Sequence, residues 1–252
     1  MNLFELNGKT ALVSGASRGL GKGMAKALAS HNATVVLVAR NENGLRTTLN
    51  EIESEGGSGF VIPADLSSLK GVNQLVKGVF EKVEKIDILV NAVGVQRRKP
   101  ANGVSEEDWD FVINTNLKGV YFLAKEIGKK MIAQKSGKVI FIASLTSKLA
   151  FQNISIYGVA KGGIASLTRH FAIEWARDNV QVNAIAPGYF RTELTEDLFS
   201  DENKAKWITS RIPMGRTGTP HDLYGPVIFL SSKASDYVTG QIIYVDGGWT
   251  SG

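Results

Sequence analysis

Short runs of β-branched and aliphatic residues alternate along the chain with longer stretches whose apolar positions recur at helical spacing. The runs predict strands at about Thr10–Val13, Thr34–Ala39, Ser58–Pro63, Asp87–Val93, Lys138–Ala143, Gln181–Ala186 and Gln241–Val245. Between the third and fourth of them, Val72, Leu75, Val76, Val79, Phe80 and Val83 follow one another in steps of three and one, which gathers them on one helix face. The strand runs are almost wholly apolar, as strands covered on both sides must be. Strand and helix taking turns in this way require right-handed crossovers between parallel strands. The expected fold is therefore α/β: a single-domain, Rossmann-type doubly wound sheet of seven parallel strands with helices on both faces, spanning residues 1–252. Only the stretch from about 188 to 220 breaks the rhythm, being long, polar and dotted with Thr, Glu, Arg and Pro, and it is expected to form a mobile lid.

Composition narrows the chemistry. The 252 residues carry 29 Lys+Arg against 24 Asp+Glu, a net charge of +5, with 43% hydrophobic residues, an ordinary globular balance. The longest apolar runs, such as Val35–Ala39 and Val139–Ala143, reach five residues. Spanning a bilayer takes roughly 18. The stretch from Met1 to Gly8 lacks the basic start and apolar run of a secretion signal, so a cytoplasmic location is expected. The absence of cysteine excludes disulfides, thiolate metal sites and thiol catalysis, and His31, His170 and His221 are too scattered for a metal site. The basic residues alternate with acids instead of forming runs, which argues against a nucleic-acid partner.

After the first strand comes Ser14-Gly15-Ala16-Ser17-Arg18-Gly19-Leu20-Gly21, followed by a helical pattern with Leu20, Met24 and Leu28. Such a loop lets the backbone approach a pyrophosphate and aims helix N–H groups at its charge, although the G-x-x-x-G-x-G spacing departs from G-x-G-x-x-G and a ligand-free turn would look the same. Where NAD-binding folds place an acid on the ribose, about 20 residues on, stand Ala39 and Arg40. Arg40, together with Arg18 in the loop, suits a 2′-phosphate, so NADP(H) is favoured; Glu42 is the nearby acid that would argue otherwise. Further on, Tyr157 and Lys161 stand one helical turn apart, where the ammonium would lower the phenol pKa, or the two are an ordinary surface pair. Ser144 directly follows the Val139–Ala143 run, at the strand end where open α/β sheets bind ligands.

Taken in order, these motifs resemble the short-chain dehydrogenase/reductase family over essentially the whole chain. The glycine loop appears as SGASRGLG, with Ser14 in place of the more usual threonine; Asp65 in PADLS matches the acid that touches adenine. The family's N-N-A-G appears as Asn91-Ala92-Val93-Gly94, keeping the first Asn and the Gly. Asn116 in INTNLKG, Ser144, and the Y-x-x-x-K pair Tyr157 and Lys161 match the catalytic positions, with 157 − 144 = 13 between Ser and Tyr. The resemblance implies hydride transfer between a nicotinamide and an alcohol or ketone carbon, with Tyr157 as acid/base, Ser144 on the substrate oxygen, Lys161 tuning the tyrosine and Asn116 holding a relay water. It places Gly15, Ser17, Arg18, Gly19, Leu20, Gly21, Arg40, Asp65, Leu66, Asn91 and Gly94 on the cofactor, with Tyr157, Lys161, Pro187, Gly188 and Thr192 at its nicotinamide end. No metal is implied.

Within the family, QRRKPA (Gln96 to Ala101) is similar to the gluconate 5-dehydrogenase and 2-deoxygluconate 3-dehydrogenase branches, so a sugar acid and its keto form are the expected small-molecule substrates. Gln96, Arg97, Arg98, Ser144, Thr146, Gln152, Tyr157 and Tyr189 are the substrate candidates, with Arg97 or Arg98 pairing with the carboxylate. Two alternatives stay open. One is a 3-oxoacyl carrier-protein reductase using the Arg97–Lys99 basic patch, and the other a nucleotide-sensing protein without catalysis. The resemblance also implies a homotetramer, for which Phe171, Trp175, Tyr244 and Trp249 are interface or core groups.

Overall fold

The computed structural model describes residues 3–252; Met1 and Asn2, which begin the stretch read for a secretion signal, lie outside the described residues. The elements run β1 (Thr10–Ser14), α1 (Gly19–Ser30), β2 (Thr34–Ala39), α2 (Glu42–Ser54), β3 (Ser58–Pro63), α3 (Leu69–Phe80) and β4 (Ile88–Asn91). There follow α4 (Glu106–Ile113), α5 (Gly119–Gln134), β5 (Gly137–Ile142), α6 (Ser155–Trp175), β6 (Val180–Pro187), α7 (Glu196–Phe199), α8 (Glu202–Arg211), α9 (Tyr224–Ser231) and β7 (Ile242–Val245). All seven predicted strands are present, in one parallel sheet of order β3-β2-β1-β4-β5-β6-β7. The order reverses between β1 and β4, whose ends pair Ser14 with Asn91. That reversal opens a crevice beyond the strand ends, the usual ligand position in such sheets.

Alternating side chains divide the core in two. Leu12, Val36 and Val38 point into a layer with Val72, Leu75 and Val79 of α3, Ile127 of α5 and Phe171 of α6. Ala11, Val13, Val35 and Leu37 point to the other face, against Met24 and Leu28 of α1, Leu45 and Ile52 of α2 and Val227 of α9. Phe171 stacks on Trp175 at 4.1 Å between ring centroids, and Trp175 lies over Gly128, where a Cβ would come within 2.5 Å of the indole. Core packing within one chain accounts for both residues. Trp249 is likewise buried, against Tyr189.

Two expectations change. The strand predicted to reach Val93 stops at Asn91, because the chain from Ala92 to Pro100 leaves the sheet and crosses its mouth without helix or turn. The polar stretch expected as a lid loop folds into α7 and α8, whose Phe199 and Ile208 pack with Leu145, Ile212 and Trp249 in a small core of their own. Trp249, far along the chain, supplies the apolar cover that this stretch lacks by itself. Among the described residues no helix is long and apolar enough to cross a membrane, and no group of acidic and histidine side chains could hold a metal ion.

Candidate active site

The turn after β1 is built for close approach. Gly15 has φ +72°, and a Cβ there would lie 2.8 Å from the Ala92 carbonyl carbon; a Cβ on Gly21 would meet the Gly15 oxygen at 2.2 Å. The α1 N-terminus has no side-chain cap and no acid in its first turn, whereas Asn41, Ser68 and Ser105 cap α2, α3 and α4. Its N–H groups are thus left for an anion. The loop opens on a cavity of about 480 Å³ lined by Gly15, Ser17, Arg18, Gly19, Leu20, Gly21, Arg40, Asp65, Leu66, Gly94, Tyr157, Lys161 and Thr192. These residues fit a dinucleotide: a glycine cradle, two arginines at one end and a buried amine at the other.

Three of the cofactor candidates lie off this wall. Asn91 sits beneath it, buried, with its Oδ1 accepting from the Ser14 hydroxyl at 3.4 Å and its Nδ2 without a partner. Pro187 and Gly188 line the adjoining cavity instead. The nearby Glu42 is paired with Arg46 at 2.6 Å, which leaves the Arg40 guanidinium without an ion-pair partner among the described residues. Arg18, expected to face a phosphate, is bonded to Glu193 of the segment after β6.

The adjoining cavity, about 150 Å³, shares Tyr157, Leu20, Ile142, Thr192 and Leu194 with the first. Ser144, just past the end of β5, accepts a bond from the Thr146 N–H at 3.1 Å and sets its hydroxyl against the Tyr157 phenol on the cavity wall. Burial pushes the Tyr157 phenol above its ordinary value, while the Ser144 hydroxyl and the Arg98 charge oppose that shift. Lys161, one turn from Tyr157, donates its ammonium to the Ile142 carbonyl at 2.6 Å and lies 5.7 Å from the Tyr157 ring centroid. Burial, unrelieved by any acid, lowers its pKa to about 8. Desolvation is thus the largest influence on both the Tyr157 phenol and the Lys161 amine.

Asn116 falls in a π-helical turn (Asn114–Lys118) between α4 and α5. Its Oδ1 accepts from the Val95 N–H at 2.8 Å and its Nδ2 donates to the Val95 oxygen at 2.7 Å. The side chain expected to hold a relay water is engaged with the backbone of the segment crossing the mouth, which it anchors.

Gln96, Arg98, Ser144, Thr146, Tyr157 and Tyr189 all line the second cavity, and the Thr146 hydroxyl is buried without a partner. Two substrate candidates do not reach it. Arg97 turns outward, stacked 4.3 Å above the Phe111 ring with Nε 3.8 Å from Asp108, and Gln152 is exposed on the turn before α6. Leu145, Phe151, Ile154, Leu194 and Leu198 add an apolar wall. Leu194 and Leu198 were hidden from sequence reasoning, because only the folded segment after β6 brings them over the cavity. Gln96 Nε2 donates to the Leu194 oxygen at 2.7 Å and ties that segment across the mouth.

Comparison with known proteins agrees with this geometry. A family model described as enoyl-(acyl carrier protein) reductase matches residues 15–250. Gluconate 5-dehydrogenase of Gluconobacter oxydans is 41% identical over 249 residues, covering 99% of this chain and 97% of that protein. A 2-dehydro-3-deoxy-D-gluconate 5-dehydrogenase of Dickeya dadantii is 42% identical over 250 residues, covering 99% and 98%. The solved structure of a gluconate 5-dehydrogenase from Burkholderia cenocepacia in complex with NADP and tartrate superposes with a TM-score of 0.96 at 39% identity, covering 100% of this chain and 98% of that one. With its glycine loop, its Ser144–Tyr157–Lys161 arrangement and these full-length relatives, the chain belongs to the short-chain dehydrogenase/reductase family of oxidoreductases.

Proposed function

We propose that this chain interconverts a sugar acid and its keto form with NADP(H), gluconate and 5-ketogluconate being the pair. The observation that carries this reading is the Arg98 guanidinium, which lines the cavity of Ser144 and Tyr157 with no carboxylate partner among the described residues. A cation left unpaired in a half-enclosed site suits a substrate carboxylate. The relatives named for gluconate and its keto form point the same way. Arg40, unpaired at the far end of the first cavity, would take the 2′-phosphate, in keeping with the NADP of the Burkholderia structure.

The nicotinamide, when bound, supplies or accepts the hydride. Tyr157 moves the proton: its raised pKa keeps the phenol protonated at neutral pH, ready to donate to a carbonyl oxygen as charge develops there. Ser144, its lone pair engaged by the Thr146 N–H, donates its hydroxyl proton to the same oxygen and fixes its position. Lys161 is mostly protonated at pH 7 with a pKa of about 8, and its buried charge favours the phenolate left after transfer. Asn116, by holding Val95, keeps the segment that carries Gln96 and Arg98 in place.

A carrier-protein reductase would present a basic patch to an acidic partner. Here Arg97 and Lys99 are both drawn to Asp108, which leaves Arg98 as the one cation of the three that lines the cavity and favours a small anionic substrate. We place the segment of residues 188–220 over the substrate as a lid, on its length and polarity, and the protein as a homotetramer, on family resemblance. The deciding experiment follows NADPH and NADH oxidation with 5-ketogluconate, a 3-oxoacyl thioester and an apolar ketone. Rapid NADPH turnover with the keto acid alone is expected. Turnover confined to the thioester would discard the substrate assignment, and a preference for NADH would discard the role of Arg40.

A further inference from the structure

Three consecutive basic residues, Arg97, Arg98 and Lys99, meet two different fates. Lys99 Nζ donates to Asp108 Oδ2 at 2.5 Å, and Arg97 Nε stands 3.8 Å from Asp108 Oδ1. Arg98 between them lines the substrate cavity. The segment from Ala92 to Pro100 is neither helix nor turn, and Lys99 N–H is fixed to the Asn153 oxygen at 2.9 Å. Successive side chains of an extended segment leave on opposite sides, so drawing both neighbours outward directs the middle one inward.

The carboxylate that does the drawing is itself held rigidly. Asp108 is buried in the first turn of α4, where its Oδ2 accepts from the Ser105 N–H at 3.2 Å and the Ser105 hydroxyl at 2.9 Å. Its own N–H donates to Ser105 Oγ at 3.2 Å, completing a capping box. The Lys99 ammonium above all, and then the bonds from Ser105, hold its carboxyl at about 2, below the usual carboxylate range, so it is charged at neutral pH.

We infer that Asp108, which touches no substrate, is a positioning residue for specificity: by clamping Arg97 and Lys99 on the outer side of the segment it presents Arg98, alone, to the carboxylate of the substrate. The inference rests on the assignment of Arg98 to that carboxylate.

The test is a double-mutant cycle on KM for 5-ketogluconate, with kcat, NADPH affinity and melting temperature measured alongside. Arg98→Met is expected to raise KM by about 30-fold or more, the effect of losing a charge-assisted pair. Asp108→Asn, which keeps an acceptor for Ser105, is expected to raise KM about 10-fold while kcat stays within about twofold and NADPH affinity is unchanged. In the Arg98→Met background, Asp108→Asn is expected to add nothing. The double variant Arg97→Met/Lys99→Met, which leaves the helix cap intact, should reproduce the Asp108→Asn effect, and Asp108→Glu should recover part of it. If Arg98→Met leaves KM unaltered, the carboxylate assignment fails. If Arg98→Met raises KM but Asp108→Asn does not, or does so equally in both backgrounds, the positioning role fails while the assignment stands.

Discussion

Replacing Lys161 by methionine is expected to abolish turnover and, at the same time, to remove a pH dependence from the stability of the protein. The amine is 3% exposed and faces no acid, so its pKa falls from 10.5 to about 8. Its folded value thus lies below its unfolded one. Between the two, the unfolded chain holds more protons than the folded one, and stability rises with pH across that interval. Over the whole interval the 2.5-unit difference corresponds to about 3.4 kcal/mol at about 1.36 kcal/mol per unit. Raising the pH from 7 to 9.5 traverses about 2 kcal/mol of it. At pH 7 the methionine removes a desolvated charge but also forfeits the bond to Ile142, worth about 1.5–3 kcal/mol, so the variant should melt close to the wild type. At pH 9.5 the wild type has gained and the variant has not, and the gap between their melting temperatures should shift by roughly 4–8 °C in favour of the wild type. Thermal melts of both proteins without added nucleotide, at a series of pH values, read this directly. Parallel curves for the two proteins would show that burial does not shift the Lys161 amine.

Two further outcomes concern the cofactor. Arg40→Ala should weaken NADPH binding by about 10- to 100-fold and leave NADH binding unchanged, because only the former carries a 2′-phosphate for that guanidinium; fluorescence titration with both nucleotides checks it. Glu193→Gln removes the carboxylate that competes for Arg18, so NADPH should bind about two- to fivefold more tightly at low salt, with the gain fading as salt is raised; equal affinity at every ionic strength would separate Arg18 from the phosphate.

Much of the architecture was legible because its signals are local. Apolar runs marked every strand, and the glycine loop, Ser144 and the Tyr157–Lys161 spacing marked the crevice that those strands open. What was not legible depends on partners distant in sequence. The segment after β6 reads as polar loop because Phe199, Ile208 and Ile212 are sparse within it, yet Trp249 from the end of the chain closes a core around them. The spacing of Tyr157 and Lys161 is right, but a four-carbon stem let the ammonium bend toward the Ile142 carbonyl, a partner on β5. Arg97 and Arg98 could not be told apart by charge or position. A signal was nonetheless available: Ser105-x-x-Asp108 is a capping-box pattern, and it places a fixed acid opposite the basic triplet.

The strand order has a consequence for how the protein is made. β2 adds beside β1 and β3 beside β2; then β4 takes the vacant side of β1, and β5, β6 and β7 each add to the newest edge. Every strand, as it leaves the ribosome, thus finds an open edge waiting and never has to wedge between two strands already paired. The sheet can grow outward in two directions from its first strand in the order of translation, which suits a parallel fold whose long crossovers make pairing slow. The groove between β1 and β4 opens only when β4 arrives, and the far end of the crevice waits for Tyr157, Lys161 and Thr192, so a nascent chain halted after β3 should bind no dinucleotide.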